Sequence, residues 1–306
     1  DVIINPKKNT DYSQYNYLCA TALTYLFIDT VVQKTKSKFK LADFLIYVLL
    51  ATVCDAMPLR KLNKILASNV IRNFEIKNNL AFKTIFKQLG LKKKLTVNDL
   101  GFLIGPIINS GGRLGFSSFG TELLTSNNTI TLQKKTTELI NLNNKRKKLE
   151  KNILNEINFK KISKENKNVI IYYNNAIHEG LIGIIASRLK DYFNKPSIVL
   201  TNSNKILKAS ARSTKDYNIG KIIKTLVDKD IIEKGGGHNM AAGFSIKKEN
   251  LQLLDNFLQN DYLKNNKNFE LIFNYDSELS GSAINKNLNN EINKLAPFGN
   301  GNSLPT

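Results

Sequence analysis

Apolar residues recur at helical spacing over roughly the first half of the chain and then give way to short, strand-like runs. The pattern predicts a helical first part followed by an α/β second part. Residues 1–12 are polar and irregular, and 17–32 then place Leu18, Ala22, Leu23, Leu26 and Phe27 at helical spacing. Residues 41–53 are nearly all apolar, with no Gly or Pro, and predict a buried helix that ends at Cys54-Asp55-Ala56-Met57-Pro58, where the proline stops or redirects the chain. Amphipathic helices follow around 60–73 and 79–89. Thr96-Val97-Asn98-Asp99 predicts a capping box for the next helix, which runs into 105–115. From 129 to 160, Leu132, Leu139, Leu142, Leu149, Ile153, Leu154 and Ile157 form a thin stripe on a Lys/Asn-rich segment, predicting a long exposed helix between domains.

Beyond it, strands are expected at 169–173, 197–200, 207–211 and 242–246, and helices at 181–193, 219–227 and 248–258. From about 269 the pattern is strand-like again, and the chain runs out through the Gly/Asn/Pro-rich stretch 295–305. No internal repeat is evident.

The 306 residues suffice for two ordinary domains, and 42% hydrophobic residues suffice for a core in each. The 45 Lys and Arg against 25 Asp and Glu give a formal charge of +20, which points to a polyanionic partner. The Lys/Asn/Ile-rich composition, as AT-rich coding produces, accounts for part of that excess. Cys19 and Cys54 both lie in apolar runs and read as small core residues, and no Cys/His spacing suits zinc or a disulfide framework. No run of about 18 or more apolar residues predicts a membrane span, and no signal-peptide pattern follows Asp1. A monomer in the reducing cytoplasm is expected.

The chemistry centres on the stretch 235–244, GGGHNMAAGF, three glycines and a histidine opening into a strand. Three glycines let the backbone take positive φ and let a ligand come close. No Gly-Lys-Ser/Thr follows, so it is not a Walker loop. By itself the stretch reads equally as a phosphate-suited loop or as a tight turn with a surface histidine. His178-Glu179-Gly180 precedes a helix whose N-terminus favours anions, and Arg212, in Ser210-Ala211-Arg212-Ser213 at a strand end, offers two parallel donors. Together the three groups predict an anion site. Asp55 sits at the C-terminal end of an apolar helix, where the dipole disfavours negative charge. Either a bound cation or an ordinary cap or ion pair offsets that. The run Lys145-Arg146-Lys147-Lys148 reads as a solvated face or as a nucleic-acid contact.

The 235–246 sequence GGGHNMAAGFSI closely resembles the GGHxMAAG signature of the DHH-associated domain of RecJ-type exonucleases. The stretches 18–20, 51–59, 105–115, 178–189, 210–213 and 297–302 resemble further landmarks of that family in the same order, so the likeness covers essentially the whole chain. It implies an α/β fold: the remainder of a DHH domain (1–128), a connector helix (129–165), a smaller DHH-associated domain (166–258) and the beginning of an OB-fold domain (259–306). It also implies 5′→3′ hydrolysis of single-stranded DNA with two manganese or magnesium ions, in recombination and repair.

By the same resemblance Asp55 matches the last aspartate of the metal cluster and is the catalytic and metal-ligating candidate. Asn109 and Arg113 fall in a cleft-lining segment, and His178 is a cleft residue. Ser210, Arg212 and His238, with Gly236 and Gly237, match positions that hold DNA phosphates near the 5′ end. The family's earlier aspartates and its Asp-His-His motif are expected upstream of Asp1, since Asp55 alone cannot assemble a two-metal site. Ile107 stands where the family commonly has a basic residue. Two alternatives remain open: an oligoribonuclease or nucleotide phosphatase of the same superfamily, and a non-catalytic nucleic-acid-binding protein. The 297–302 segment favours the first reading, because the small-substrate enzymes usually lack the OB module.

Overall fold

The computed structural model describes residues 3–8, 13–204, 206–265 and 274–306, which pack as two compact units. The first takes in the described residues up to Asn109, together with 119–140 and those from 274 on; the second takes in 110–118 and the described residues of 141–265.

The first unit is helical. α1 (Ala20–Thr35) is followed by a 3-10 turn (Leu41–Phe44) and α2 (Leu45–Cys54), then by α3 (Lys61–Asn73) and α4 (Leu80–Gln88). The nearly continuous apolar run of α2 is buried, with Ile46, Leu49 and Leu50 packing against Phe82 and Ile85 of α4 and against Leu100 and Ile104. The predicted capping box is present: Thr96 accepts from Asp99 N–H, and the Asp99 carboxylate accepts from Thr96 N–H. It opens the short α5 (Val97–Asp99), which continues through a π turn (Leu100–Ile104) into α6 (Gly105–Arg113) and is followed by α7 (Phe119–Thr125). Ile107 is 2% exposed and belongs to this core, so an apolar residue there has a packing role.

α8 (Thr129–Glu156) is the predicted long helix, with the short α9 (Phe159–Lys164) after it. The unit boundary falls within α8, after Ile140. Its stripe is not exposed: Leu132 and Leu139 lie in the core of the first unit, and Leu149, Ile153 and Leu154 pack into a core of the second. Lys145, Lys147 and Lys148 face solvent, whereas Arg146 is partly buried in an ion pair with Glu150.

The second unit is built on a five-stranded sheet of order β1-β2-β3-β5-β4. β1 (Ile170–Tyr173) leads to α10 (Glu179–Phe193), followed by β2 (Ser197–Ser203), β3 (Ile206–Arg212), α11 (Ile219–Asp228), β4 (Lys234–His238), β5 (Ala241–Ile246) and α12 (Leu251–Asn265). β1 and β2 are parallel and the remaining pairs antiparallel. Alternation along the strands sends Ile198, Leu200, Ala209, Ala211, Ala242 and Phe244 to the face covered by α11 and α12. Val199 points the other way and packs with Leu181, Ile182 and Ile185 of α10.

Three expectations are corrected. The glycine stretch is not a loop: Gly235, Gly236 and Gly237 are extended in edge strand β4, and none has positive φ. The turn to β5 is Asn239-Met240. α12 runs on to Asn265, past the 258 boundary expected from sequence. The strand-like reading from about 269 falls partly outside the described residues. The described part, 274–306, holds a 3-10 turn, α13 (Lys286–Lys294) and only an isolated bridge between Gly299 and Asn302. Asn285 caps α13 by accepting from Asn287 and Leu288 N–H, and Leu288, Ile292 and Leu295 follow at helical spacing.

Candidate functional site

In the second unit the register of three strands arranges the chemistry in rows. His238 of β4 pairs with Ala241 of β5, which pairs with Arg212 of β3. One step along, Gly236 pairs with Gly243, and Gly243 with Ser210. One step further, Lys234 pairs with Ser245, and Ser245 with Lys208. Residues opposite one another or two apart share a face, so His238, Arg212, Gly236, Gly243, Ser210, Lys234 and Lys208 all lie on the face that α10 partly covers. His238 and Arg212 are two strand spacings apart, roughly 10 Å. Their side chains border a central row that lacks side chains at two of its three places.

The glycines divide by face. A Cβ on Gly235 would stand 2.7 Å from both Ile223 and Phe244, and one on Gly237 would collide with Ala241 and Ala242. Those two are glycine because the packed face has no room. A Cβ on Gly236 would meet nothing within 4 Å, and one on Gly243 only the Ala209 carbonyl, at 3.7 Å. Packing does not demand glycine at either. Of the two glycines predicted to meet phosphate, then, Gly236 lies on the open face and Gly237 on the packed one.

Arg212 is half-buried, its Nη1 donating to Ser210 Oγ (3.0 Å) and to the Ala211 carbonyl (2.8 Å). Gly183 in α10 makes room for it: a Cβ there would lie 2.9 Å from Nη2. Arg113, at the end of α6, donates from Nη1 to the Gly180 carbonyl at 3.2 Å, and Gly180 itself has no space for a side chain against the Arg113 backbone. Burial, and then the charge of Arg113, depress the Arg212 pKa below its ordinary value. Arg113 is depressed by burial first and by Arg146 second, with Glu150 opposing. Neither Arg113 nor Arg212 is in an ion pair among the described residues; Glu150 is taken up by Arg146 (2.9 Å) and Arg188 (2.8 Å). Two half-buried guanidiniums without a carboxylate partner make a site that an anion stabilises.

His178 is the N-cap of α10, its Nδ1 accepting from Gly180 N–H at 3.1 Å. His238 Nδ1 accepts from Met240 N–H at 3.3 Å. With Nδ1 accepting in each ring, Nε2 is the outward donor. Lys208 is tied to Glu179 at 2.6 Å, and that bond, together with one from Ser203, holds the Glu179 carboxyl below the usual range. Lys208, Lys234, Gly243 and Gly183 were not singled out from sequence. Period-two counting back from Arg212 through Ser210 finds Lys208; the others need the strand pairing or the helix packing.

In the first unit Asp55 and Asn109 line one cavity of about 780 Å³, with Asp43, Thr21 and Tyr47. Asp55 is the C-cap residue of α2 and is exposed. After it the chain makes a Schellman turn: Ala56 N–H donates to the Val53 carbonyl and Met57 N–H to that of Thr52. Ala56 takes the left-handed position (φ 51) usually given to glycine, at a cost of roughly 1–2 kcal/mol. Cys54 is exposed rather than a core residue, since α2 ends there at the surface. Desolvation around its sulfur, and then the charge of Asp55, push its thiol up to about 11, which makes it a poor nucleophile. An exposed carboxylate on the wall of a cavity that Asp43 and Asn109 also line offers a hard divalent ion one oxygen ligand. No group of three or more His, Cys, Asp or Glu that could hold a metal exists among the described residues.

Residues 166–265 match the DHHA1 domain model. Over 272 residues the chain is 30% identical to the single-stranded-DNA-specific exonuclease RecJ of Haemophilus influenzae, covering 85% of this chain and 47% of that protein. The structure of Thermus thermophilus RecJ in complex with Mn2+ matches with a TM-score of 0.74 at 21% identity, over 86% of this chain and 39% of that one. The same protein in complex with Mg2+ matches with a TM-score of 0.73 at 21% identity, over 86% and 41%. The chain thus spans less than half the length of each of these relatives, and the structural likeness shows that the α/β fold is shared.

Proposed function

The chain is a relative of the RecJ exonucleases and carries a DHHA1 domain, and from that premise we propose that it serves a metal-dependent 5′→3′ exonuclease acting on single-stranded DNA in recombination and repair. The observation that carries the reading is the pair of half-buried guanidiniums, Arg113 and Arg212, which lack a carboxylate partner and lie by the first turn of α10. In this reading Arg212, Ser210 and Arg113 bind the 5′-terminal phosphate, and His238 donates from Nε2 to a neighbouring phosphate. His178 holds the α10 N-terminus and with it the Gly180 carbonyl that orients Arg113. The bare row at Gly236 and Gly243 lets the strand lie against the sheet, and Asn109 lines the cavity that holds Asp55.

Asp55 is one ligand of a two-ion Mn2+ or Mg2+ site whose other ligands lie outside the described residues. When bound, the ions activate water and stabilise charge on the phosphoryl group. The domain reading belongs to the same proposal: the remainder of a DHH domain, a connector, a DHHA1 domain and an OB-fold domain entered through 297–302. So do a monomeric state and a cytoplasmic location; no helix among the described residues is long and apolar enough to cross a membrane.

The test is digestion of end-labelled single strands by the full-length protein with Mn2+. The reading requires mononucleotide release from the 5′ end and resistance of the duplex; release from the 3′ end or indifference to strandedness would sink it. A second reading is a non-catalytic strand-binding protein. That reading predicts salt-sensitive binding without cleavage in the full-length protein.

A further inference from the structure

The 297–302 segment, read from sequence only as an entrance to another domain, is docked on the turn that carries Asp55. Its loop closes on itself: Gly299 and Asn302 exchange backbone hydrogen bonds (2.9 and 3.0 Å), and Asn302 Nδ2 donates to the Pro297 carbonyl at 2.8 Å. So closed, it presents Asn300 to residues 56–59. The Asn300 side chain donates to the Ala56 carbonyl, and its own carbonyl accepts from Leu59 N–H at 2.7 Å. Arg60 Nε donates to the Gly301 carbonyl, and Lys64 Nζ to Asn302 Oδ1 at 3.3 Å. Gly299 fits against Leu59, where a Cβ would stand 2.7 Å from its Cδ1.

Ala56, whose carbonyl Asn300 holds, is left-handed (φ 51), as is Lys61 (φ 48) further along. An alanine in the left-handed region persists only where its surroundings over-determine it, and here the bond from Asn300, 244 residues along the chain, adds to the two local Schellman bonds. Directly N-terminal to Ala56 stands Asp55, whose carboxylate direction follows the turn's dihedrals.

We infer that Asn300 is a positioning residue for Asp55: it holds Ala56 left-handed and thereby fixes where the carboxylate points. The inference rests on the functional reading of Asp55 given above, and it makes a demand that a general stabilising role does not. A glycine at 56 adopts the same conformation without strain, so it should relieve the need for Asn300.

The experiment is a set of variants read in two ways. In this chain, amide hydrogen exchange over 55–59 is measured for Asn300→Ala, Asn300→Asp, Ala56→Gly and the Asn300→Ala/Ala56→Gly double variant. Asn300→Asp keeps the shape but cannot donate. Both Asn300 variants should speed exchange at those amides while leaving the sheet of the second unit unchanged, and the double variant should return towards the native rate. In the full-length protein the Asn300 variants should lower kcat about tenfold or more with little change in KM, as misplacing a reacting group does. Ala56→Gly alone should stay near the native rate and should rescue Asn300→Ala. Native exchange and turnover in Asn300→Ala, or no rescue by Ala56→Gly in either measurement, would overturn the inference. Full turnover in Asp55→Ala would instead overturn the reading on which it rests, so the two failures are distinct.

Discussion

The cation face of the second unit and the acid turn of the first are built by opposite means. Arg212, Ser210 and His238 stand where strand register puts them, in rows fixed by β3, β5 and β4. Asp55 stands at a Schellman turn closed by its own backbone bonds and touched by a loop 244 residues along the chain, through Asn300 and the Ala56 carbonyl. A site made by register is robust and repeats along the strands, so a residue lost from it weakens binding by one contact. A site made by a held turn is specific to one side chain, so its loss is expected to be complete. The difference suits the division of labour proposed here, with graded phosphate binding on one unit and a reacting group on the other.

The largest expected effect tests the acid turn. Asp55→Ala in the full-length protein should cut Mn2+-dependent hydrolysis by about three orders of magnitude or more, the scale seen when a group acting on developing charge is lost. Its affinity for single strands should change less than about twofold, because phosphate contacts made elsewhere supply that term. Retained turnover would remove Asp55 from the chemistry.

Next in size is the cation face. Arg212→Ala should slow digestion of 5′-phosphorylated strands by about one to two orders of magnitude, since charge-assisted hydrogen bonds are worth roughly 1.5–3 kcal/mol. His238→Ala should show the same preference with a smaller loss, because a single donor is removed where Arg212 offers two. Equal losses on 5′-hydroxyl strands would dissociate both residues from the terminal phosphate.

The two kinds of glycine sharpen the comparison within a single strand. Gly237→Val should lower the unfolding free energy by about 1–3 kcal/mol, the cost of forcing methyl groups into a filled space. Gly236→Val should leave stability within about 0.5 kcal/mol, as surface changes do, while weakening strand binding severalfold. Melting and binding measured on both variants decide it; a reversed pattern would mean that the open face is not used.

The smallest effect belongs to the connector. Replacing the exposed Lys147 and Lys148 by Ala should weaken 5′-phosphorylated and 5′-hydroxyl strands alike, by less than about 1 kcal/mol each, and flatten the salt dependence slightly.

What sequence made legible follows the same division. Period and capping signals are local, and they located α2, the Thr96 capping box, the long α8 and the alternation of strands and helices around 170–246. The anion-suited groups His178, Arg212 and His238 were legible because each lies at the end or start of an element. Partners set by tertiary pairing were not legible. The glycine run reads as a loop until β5 is placed beside it, and the distinct tasks of Gly236 and Gly237 appear only once the two faces are covered differently. Arg146 reads as one of four solvated cations, yet Glu150 folds it back into the structure. Cys54 sits in an apolar run that ends one residue too soon to bury it, and the 297–302 segment carries no local sign of where it docks.

The central claim is that half-buried guanidiniums at Arg113 and Arg212 form a site for a terminal phosphate. Its most direct test is the affinity of this chain, without metal, for one oligodeoxynucleotide carrying either a 5′-phosphate or a 5′-hydroxyl, measured at low and moderate salt. The account predicts tighter binding of the phosphorylated strand by about one order of magnitude or more, falling with salt, with the gap narrowed by Arg212→Met. Equal affinity for the two ends at low salt, or a gap that Arg212→Met leaves unchanged, would contradict it.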